Sequence, residues 1–351
     1  GAGPGGYVAA LRAAQRGARV VLVEKERVGG TCLNRGCIPT KTLVRDAEVF
    51  RDATSGQYAL RTDAPIQVDF ARLMMRKRQV VDGLVSGVER LLATQKVLVL
   101  RGVGTLLDGR RLSVQLPTET IEVEARSVIL ATGSDTASVP IPGTDLPGVL
   151  TSRELLEIDH LPASMVVIGA STVGLEFACM LHTLGTRVTV LGRKTFLHDA
   201  DPQLAKRLRS LLARQGIDVQ VGLEFRAIEQ TGEGSLRVHY DRQGAQSVEG
   251  ETVLLSTGRT PHTQGLGLEA AGVRLNGRAI AVDSHLQTSV PGVYAIGDCI
   301  GGQMLAHVAS YEAEVAVDNI MGEPREVDYR VVPNCIFTMP EIASVGMTEE
   351  Q

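Results

Sequence analysis

The feature that most constrains the fold of this chain is a unit that occurs twice: a glycine-rich turn, a helix with an apolar stripe, and a strand. The first copy, GAGPGGYVAALRAAQRGARVVLVEK, begins at Gly1, and the second, GASTVGLEFACMLHTLGTRVTVLGRK, follows a hydrophobic strand and begins at Gly169. The copies also match further on, because VILATG at 128–133 recurs as VLLSTG at 253–258. Such units bind dinucleotides, so the repeat predicts an α/β chain with two Rossmann-like dinucleotide-binding domains.

The repeat also sets the predicted domain boundaries. One dinucleotide-binding domain covers residues 1–136 and resumes at 259–325, and the other, 137–258, is inserted into it. Residues 326–351 are expected to start a third, α+β domain that is cut short at 351. Because a glycine turn of this type follows a strand, the first strand of the fold is expected to precede Gly1 and to be missing from this sequence.

A long helix is predicted for residues 68–94, where apolar residues recur at helical spacing. The face expected to be buried carries Val81, Leu84, Val88 and Leu91. The basic run Arg76-Lys77-Arg78 is expected to be a solvated face rather than a binding site. After this helix, residues 96–130 alternate apolar and polar side chains around turn residues, which predicts a small β-meander.

The first glycine turn has the G-x-G-x-x-G pattern, at Gly1, Gly3 and Gly6. Glycine allows the tight turn and lets a pyrophosphate approach the backbone, where the helix N-terminus offers N–H donors and the positive end of its dipole. The pattern alone is weak evidence. However, Glu24 ends the next strand, where an acid accepts hydrogen bonds from the adenosine ribose. The alternative is a glycine turn that only packs a helix against a strand.

The second glycine turn has a serine at its middle position, and its three positions are Gly169, Ser171 and Gly174. Counting 23 residues from the first glycine leads to Glu24 in the first unit but to Gly192 in the second. The ribose acid is therefore absent, and Arg193 and Lys194 follow at once. An acid repels a 2′-phosphate, whereas arginine pairs with it through two charge-assisted bonds, so this loop favours NADP(H). The alternative, that both cations are merely exposed after a strand, stays open.

The segment GGTCLNRGCIPTK, residues 29–41, contains the sharpest motif, the cysteine pair Cys32 and Cys37. Residues 29–58 are expected to be a loop that runs into one helix carrying both cysteines, where a disulfide spans the first helical turn. There the helix dipole lowers the pKa of a thiol and favours the thiolate. A zinc site needs two more ligands at similar spacing, so no metal is predicted. The remaining cysteines are isolated, at Cys179, Cys299 and Cys335.

Together these segments resemble one family. GGTCLNRGCIPTK is similar to the active-site signature of the class I pyridine nucleotide-disulfide oxidoreductases, which include dihydrolipoamide dehydrogenase, glutathione reductase and mercuric reductase. The likeness continues through GAGPGG at the start, ATG at 131–133, VYAIGD at 293–298, MLAHVASYEAEVAVDNIMG at 304–322 and PEIASVG at 340–346. The last two segments are most similar to bacterial dihydrolipoamide dehydrogenases. The resemblance implies FAD in the first domain, NAD or NADP in the second, and dimerisation through the third.

The resemblance also implies roles for single residues. Cys32 would be the interchange thiol that attacks the disulfide substrate, and Cys37 would lie against the flavin as the charge-transfer thiolate. Lys41 would sit near flavin N5 and pair with Glu176, which reaches the nicotinamide side. Asp298 would hydrogen-bond the ribityl chain. The other cofactor contacts implied are Thr132, Gly133, Gly258, Ala306 and His307, the last two through their backbone.

Two departures from the family pattern matter. The turn GASTVG and the loop Leu191-Gly192-Arg193 are closer to NADPH-using relatives, including mercuric reductases, than to NAD-type dehydrogenases. The family also completes its active site with a His-Glu pair near the C-terminus of the partner subunit. This sequence ends before such a motif, so the general acid/base and most of the dimer interface are expected to lie outside it.

The function that the resemblance implies is oxidation of dihydrolipoamide with NAD(P)+ through a Cys32-Cys37 disulfide and FAD. The substrate would be a small-molecule or lipoyl-domain dithiol or disulfide, and the protein a homodimer that belongs to a 2-oxoacid dehydrogenase-type complex. The nearest alternative is an NADPH-dependent reductase of a disulfide or of Hg(II). A non-catalytic flavoprotein that senses the nicotinamide redox state is a third, although it has no need of both cysteines, Lys41 and Glu176.

Composition argues against several other classes of protein. A net charge of −4 gives no electrostatic reason to bind nucleic acid or an anionic membrane, and Trp 0 with 3% aromatic residues argues against base stacking. No apolar run of roughly 18 residues is present, so no transmembrane helix is expected. The cysteines do not form a secreted disulfide framework, which predicts a cytoplasmic protein.

Overall fold

The structure is a computed structural model, and it describes residues 1–198, 200–232 and 234–348. Residue contacts divide the chain into two compact units. Unit 1 comprises Gly1–Cys37, Val81–Asp135 and Arg259–Arg330, and unit 2 comprises Ile38–Val80, Thr136–Gly258 and the chain from Val331 onward. The α/β class is confirmed, and the assignment of one cofactor to each predicted domain stays a prediction.

Helices and parallel strands alternate through most of the chain. The helices are α1 (Pro4–Gln15), α2 (Gly30–Arg35), α3 (Cys37–Thr54), α4 (Phe70–Thr94), α5 (Ser152–Leu155), α6 (Thr172–Leu184), α7 (Pro202–Gln215) and α8 (Ala306–Ile320), and a 3₁₀ helix spans Gly297–Ile300. The strands are β1 (Val21–Glu24), β2 (Leu98–Arg101), β3 (Val103–Leu106), β4 (Arg111–Gln115), β5 (Thr120–Glu124), β6 (Val128–Leu130), β7 (Ser134–Thr136), β8 (Val149–Thr151), β9 (Ser164–Ile168), β10 (Arg187–Gly192), β11 (Asp218–Val221), β12 (Glu224–Gln230), β13 (Leu236–Asp241), β14 (Ala245–Gly250), β15 (Thr252–Leu255), β16 (Arg259–Pro261), β17 (Leu275–Asn276), β18 (Ala279–Ile280), β19 (Val293–Ala295), β20 (Asn334–Ile336) and β21 (Ile342–Ser344).

The core of unit 2 is a five-stranded parallel sheet in the order β11-β10-β9-β15-β8. Val167 of β9 pairs with Val190 of β10 on one side and with Leu254 of β15 on the other, and all three are fully buried. Parallel strands that are covered on both faces read as unbroken hydrophobic runs, which explains the sequence of β9. The chain moves outward from β9 to β10 and β11 through α6 and α7, which is the topology of a Rossmann-like domain.

Unit 1 contains the matching strands in two parallel pairs, β1 with β2 and β6 with β19. By position in the repeat, β1 corresponds to β10 and β6 to β15. In unit 2, β9 lies between those two strands, and no strand takes that place in unit 1 within the part of the chain that the structure describes. The strand predicted to precede Gly1 lies outside the described residues. Strands β3, β4 and β5 form an antiparallel sheet, which confirms the predicted meander for residues 103–124. Strands β2 and β6, at the ends of the predicted range, instead pair in parallel with β1 and β19.

A buried carboxylate joins helices α1 and α8 in unit 1. Asp318 of α8 is 5% exposed and accepts hydrogen bonds from Arg12 Nη2 at 2.7 Å and from Arg16 Nη1 at 2.8 Å. Burial raises the pKa of Asp318, but the hydrogen bonds from Arg12 and Arg325 outweigh it, so the pKa lies below its usual value. This pairing helps to fix α1, whose N-terminus is the first glycine turn.

Helix α4 is present as predicted, but its buried face coincides only in part with the predicted apolar face. Val81, Val85 and Leu92 are buried, whereas Leu84 and Leu91 are 44% and 54% exposed. Both sets of positions have helical spacing, so periodicity alone could not choose between them.

The prediction of a solvated basic face on α4 is wrong at Lys77. Its side chain is 2% exposed, and Nζ donates to the carbonyl of Leu156 and lies 2.9 Å from Oε1 of Glu157. Arg76 and Arg78 are exposed, as expected. An ammonium group can be buried only where acceptors replace water, and here both acceptors lie far along the chain from α4.

Candidate active site

The first glycine turn closes tightly on itself. A Cβ added to Gly6 would lie 1.8 Å from the Gly1 carbonyl oxygen, and one on Gly1 would lie 2.5 Å from the carbonyl oxygen of Ala131. Both positions therefore require glycine. Gly3 is the N-cap of α1, and neither a side-chain cap nor an acid is present in the first turn. The N-terminal N–H groups and the helix dipole are thus free to receive a pyrophosphate, so the turn fits FAD.

Glu24, at the end of β1, is oriented by this turn. It is 7% exposed, and its Oε2 accepts the backbone N–H of Ala2 at 2.6 Å. Its Oε1 accepts the N–H of Glu26 at 2.8 Å. A carboxylate has about four acceptor sites. Glu24 therefore retains capacity for ribose hydroxyl groups, as the predicted role requires.

The two cysteines lie on two helices, not on the single helix expected from the sequence. Gly36, with φ −143° and ψ −111°, separates α2 from α3. Cys32 lies in the six-residue helix α2, and Cys37 is the first residue of the 18-residue helix α3. Cys37 is therefore the cysteine at the N-terminus of a long helix, where the dipole favours a thiolate.

The segment that carries Cys32 is fastened to the first glycine turn, a link that sequence reasoning missed. The N–H of Gly29 donates to the carbonyl of Ala2 at 2.8 Å. Gly30 has φ +56°, and a Cβ on it would lie 2.6 Å from Cα of Gly3. Asn34 then closes α2 by donating from Nδ2 to the carbonyl of Gly30 at 3.0 Å. The glycine pair in GGTC could have indicated this link in the sequence, since close approach of two backbone segments requires glycine.

Four of the five cysteines fall into two groups by burial, half-buried and fully buried. Cys32 and Cys37 are half-buried thiols. Burial raises the pKa of Tyr7, and the negative charges of Cys32 and Cys37 raise it further, which places both cysteines near this ring of α1. In contrast, burial raises the pKa of Cys179 to about 11 and also raises that of Cys299. These two remain protonated at neutral pH, which leaves the half-buried pair in the motif and the exposed Cys335 as the cysteines accessible to thiolate chemistry.

Lys41 and Glu176 form an ion pair within unit 2, as the resemblance implied. Lys41 Nζ lies 2.7 Å from Oε2 of Glu176, whose side chain is 4% exposed. The other carboxylate oxygen accepts the backbone N–H of Phe337 at 3.0 Å. The ammonium group also lies 4.7 Å from the centroid of the Phe337 ring. Each oxygen of the buried carboxylate thus has a hydrogen-bond donor, and the carboxylate holds the ammonium group in place.

Asp298 lies in the 3₁₀ helix of unit 1, in a polar network with two residues that were not predicted. Its Oδ2 accepts the hydroxyl proton of Ser134. Arg259 donates from Nε to the Ser134 hydroxyl at 2.6 Å, and this Nε lies 3.6 Å from Asp298 Oδ2. Arg259 follows Gly258 directly, so its position after the second threonine-glycine segment was the signal that could have identified it.

The two threonine-glycine turns of the repeat are built alike. Gly133 and Gly258 have φ +75° and +102°, a conformation that favours glycine. The hydroxyl of Thr132 donates to the carbonyl of His262 at 2.7 Å, and that of Thr257 to the carbonyl of Ala137 at 3.2 Å. The two segments thus share a backbone conformation and a threonine hydroxyl contact, and their cofactor contacts stay a prediction.

Helix α8 begins at Ala306 without a side-chain cap and without an acid in its first turn. His307 is exposed at this N-terminus. The first backbone N–H groups of α8 therefore offer donors and positive potential to an electron-rich ring edge. This geometry fits the expectation that the backbone of Ala306 and His307, rather than an imidazole, meets the flavin.

The second glycine turn repeats the geometry of the first within unit 2. A Cβ on Gly169 would lie 2.3 Å from the carbonyl oxygen of Ser256, and one on Gly174 would lie 2.2 Å from the carbonyl oxygen of Gly169. Ser171 is the N-cap of α6, which has no side-chain cap hydrogen bond and no acid in its first turn. This turn therefore fits a second pyrophosphate, that of the nicotinamide dinucleotide.

Within residues 1–198, 200–232 and 234–348, no group of three or more His, Cys, Asp or Glu side chains could hold a metal ion. No described helix is both long and apolar enough to cross a membrane.

Comparison with known proteins supports the motif-based resemblance. A family model described as pyridine nucleotide-disulphide oxidoreductase matches residues 1–313. A dihydrolipoyl dehydrogenase of Bacillus subtilis (strain 168) is 39% identical over 367 residues, which cover 100% of this chain and 77% of that protein. Dihydrolipoyl dehydrogenase 3 of Pseudomonas aeruginosa is 38% identical over 360 residues, which cover 100% of this chain and 76% of that protein.

Solved structures with the same fold include those of two bacterial proteins. LpdA from Mycobacterium tuberculosis has a TM-score of 0.91 at 29% identity, with 100% of this chain and 78% of that chain covered. The Cu(II) complex of the HOCl-induced flavoprotein disulfide reductase RclA from Escherichia coli has a TM-score of 0.89 at 32% identity, with 100% and 77% covered. The fold predicted from the repeat is therefore confirmed.

Proposed function

Since this chain belongs to the pyridine nucleotide-disulphide oxidoreductase family, we propose that it oxidises a lipoyl-type dithiol, with dihydrolipoamide as the model substrate. It is an oxidoreductase that uses FAD and NAD(P). The observation that carries the proposal is the placement of the cysteine pair. Cys32 lies on a segment fastened to the first glycine turn, and Cys37 lies at the N-terminus of α3.

The proposed reaction begins at a Cys32–Cys37 disulfide. One thiolate of the substrate attacks the sulfur of Cys32, which breaks the disulfide and leaves Cys37 as a thiolate. The second thiol of the substrate then attacks the substrate sulfur of this mixed disulfide and releases Cys32 as a thiolate. The substrate leaves as a disulfide. In the complete cycle its two electrons and one proton reduce NAD(P)+ to NAD(P)H, and the other proton goes to solvent.

Bound FAD supplies the two-electron acceptor that links the dithiol to the nicotinamide. The α1 N-terminus and Glu24 would hold its ADP part, and Asp298 with Arg259 and Ser134 would hold its ribityl and phosphate groups. In the same proposal, the α3 N-terminus stabilises the Cys37 thiolate. The buried Glu176 holds the Lys41 ammonium group in one place, so that it can act as a fixed positive charge.

A second candidate is an NADPH-driven reductase of a disulfide or of Hg(II) in the same family. Two observations favour it: the exposed cations Arg193 and Lys194 after β10, and the similarity to the disulfide reductase RclA. A non-catalytic flavoprotein sensor is less favoured. The close ion pair of Lys41 with Glu176 and the presence of both cysteines exceed what a binding module needs.

The proposed partners follow from the named relatives. A lipoyl domain of a 2-oxoacid dehydrogenase-type complex would present the dithiol, and the protein would work as a homodimer in which the partner subunit contributes the general acid/base. Neither nucleic acid nor a membrane is a proposed partner. A cytoplasmic location is part of the proposal, because the cysteines outside the motif are isolated and do not form a secreted disulfide framework.

The test is a steady-state assay of the full-length protein with dihydrolipoamide and either NAD+ or NADP+. The proposal expects NAD(P)H to form, with turnover lost in both Cys32→Ser and Cys37→Ser and retained in Cys335→Ser, an exposed cysteine outside the motif. If dihydrolipoamide is not oxidised but NADPH reduces a disulfide or Hg(II), the second candidate replaces the first.

A further inference from the structure

The end of strand β10 differs from the end of β1 in a way that bears on nucleotide choice. In both units the strand that follows the glycine turn and its helix ends 23 residues after the first glycine, at Glu24 in β1 and at Gly192 in β10. In dinucleotide-binding folds, an acid near this point accepts the ribose 2′-hydroxyl group, and an arginine accommodates a 2′-phosphate instead.

Close packing leaves no space for a side chain at Gly192. A Cβ there would lie 2.8 Å from Cβ of Ala170 and 3.0 Å from Cγ1 of Val221. Ala170 follows the first glycine of the turn and has no flexible side chain, and Val221 is the residue of β11 that pairs with Gly192. The N–H of Leu223 also donates to the carbonyl of Gly192 at 3.1 Å. The position is therefore closed to an acid by its surroundings.

The two residues that follow Gly192 carry positive charges into solvent, and their backbone is held in place by hydrogen bonds. Arg193 and Lys194 are both exposed, and neither side chain has a hydrogen-bond or ion-pair partner within the residues that the structure describes. The carbonyl of Lys194 accepts the N–H of Gly222 at 3.3 Å, and the N–H of Leu197 donates to the carbonyl of Ala170 at 3.1 Å. The backbone of the loop is thus tied to the glycine turn, while both cationic groups remain available.

From this geometry we propose that the nucleotide site of unit 2 selects a 2′-phosphorylated dinucleotide, NADP(H), over NAD(H). The inference rests on the proposed function, because it assumes that the turn at Gly169 binds a nicotinamide dinucleotide. Arg193 is the principal specificity residue, since a guanidinium group pairs with phosphate through two parallel hydrogen bonds. Lys194 adds a second positive charge. Gly192 contributes by the absence of an anion that would repel the phosphate.

The test uses two fragments that differ only in the 2′-phosphate, 2′,5′-ADP (adenosine 2′,5′-bisphosphate) and 5′-AMP. Their dissociation constants are measured by calorimetry on the full-length, FAD-loaded protein. The proposal expects 2′,5′-ADP to bind at least about tenfold more tightly, which corresponds to about 1.4 kcal/mol. Arg193→Ala is expected to remove most of this difference and Arg193→Lys to restore part of it, with 5′-AMP affinity unchanged. The matched control is Arg187→Ala, an exposed arginine at the opposite end of the same strand.

The outcomes separate this inference from the proposed function. Equal affinity for the two fragments, or the same loss in Arg187→Ala as in Arg193→Ala, overturns the selectivity inference alone if dithiol turnover persists. If neither fragment binds and neither NAD(H) nor NADP(H) reacts with the flavoprotein, the nucleotide site itself is wrong, and both proposals fail.

Discussion

Removing either member of the Lys41–Glu176 pair should have unequal effects on stability. Lys41→Met keeps the length of the side chain and its apolar contact with Phe337, but it leaves the Glu176 carboxylate, 4% exposed, with one backbone N–H as its partner. Glu176→Gln instead leaves the ammonium group of Lys41, whose side chain is 31% exposed and therefore reached by water. The amide oxygen of the glutamine can still accept the N–H of Phe337.

The loss of stability in each variant depends on which charged group is left without a partner. An uncompensated buried charge costs about 3–5 kcal/mol, and this range applies to Lys41→Met. Loss of a hydrogen bond whose other group stays hydrated costs about 0.5–1.5 kcal/mol, which applies to Glu176→Gln. At about 2–4 °C per kcal/mol for a domain of this size, Lys41→Met should lower the unfolding midpoint by on the order of 10 °C and Glu176→Gln by only a few degrees.

The assay is thermal unfolding of the full-length, FAD-loaded protein, followed by circular dichroism and by release of flavin fluorescence. Arg45→Met is the matched control, because Arg45 lies on the same helix and pairs with Glu48 at 3.0 Å, but is 64% exposed. That variant should unfold at the wild-type temperature. The reasoning is refuted if Lys41→Met behaves like Arg45→Met, or if Glu176→Gln is the more damaging change.

Three further predictions concern packing, pH and thiol reactivity. Gly192→Ala should destabilise the protein by about 1–3 kcal/mol in thermal unfolding, because its Cβ overlaps that of Ala170, and an unchanged midpoint would contradict the packing argument. Folding lowers the pKa of Asp318, so its ionised carboxylate stabilises the folded protein at pH values above the ordinary pKa of 3.8. This stabilisation is lost as the pH falls toward the lowered pKa. The urea midpoint of Asp318→Asn should therefore lie below wild type at neutral pH and approach it at acid pH; a constant gap would argue against the ion pairs. Cys179, with a pKa of about 11, and Cys299, whose pKa burial also raises, should resist iodoacetamide at neutral pH until the protein is unfolded, as read by mass spectrometry.

The parts of the fold that sequence could predict are those encoded locally. Gly6 and Gly174 are glycines because their Cβ positions meet a carbonyl oxygen five residues earlier, so each turn is recognisable from its own few residues. The hydrophobic run of β9 likewise reflects burial on both sides in a parallel sheet. The pair Lys41 and Glu176 was predicted only through resemblance, since their 135-residue separation leaves no local signal.

What could not be predicted depends on partners distant in sequence or on backbone conformation. The burial of Lys77 depends on acceptors near residue 156, and a basic run looks the same whether or not such acceptors exist. The break between α2 and α3 depends on the conformation of Gly36, which the cysteine spacing does not reveal. Arg259 was missed because its bond to Ser134 joins residues 125 positions apart.

The central claim is that Cys32 and Cys37 are the redox pair that exchanges electrons with FAD, with Cys37 as the thiolate beside the flavin. Its most direct test is the absorbance spectrum of the oxidised full-length protein in the variants Cys32→Ser and Cys37→Ser. A thiolate next to oxidised flavin produces a long-wavelength charge-transfer band. Cys32→Ser leaves Cys37 as a free thiolate at the N-terminus of α3, so it should show this band without reductant, and Cys37→Ser should lack it.

The same two variants also test whether the pair is needed for turnover. Both should lose nearly all disulfide and dithiol turnover, while hydride exchange between NAD(P)H and FAD survives, because that step does not use the thiols. A band in Cys37→Ser and none in Cys32→Ser would reverse the assignment of the two cysteines. If both variants retained disulfide turnover, the pair would not be the redox centre, and the account of this protein as a dithiol oxidoreductase through Cys32 and Cys37 would be contradicted.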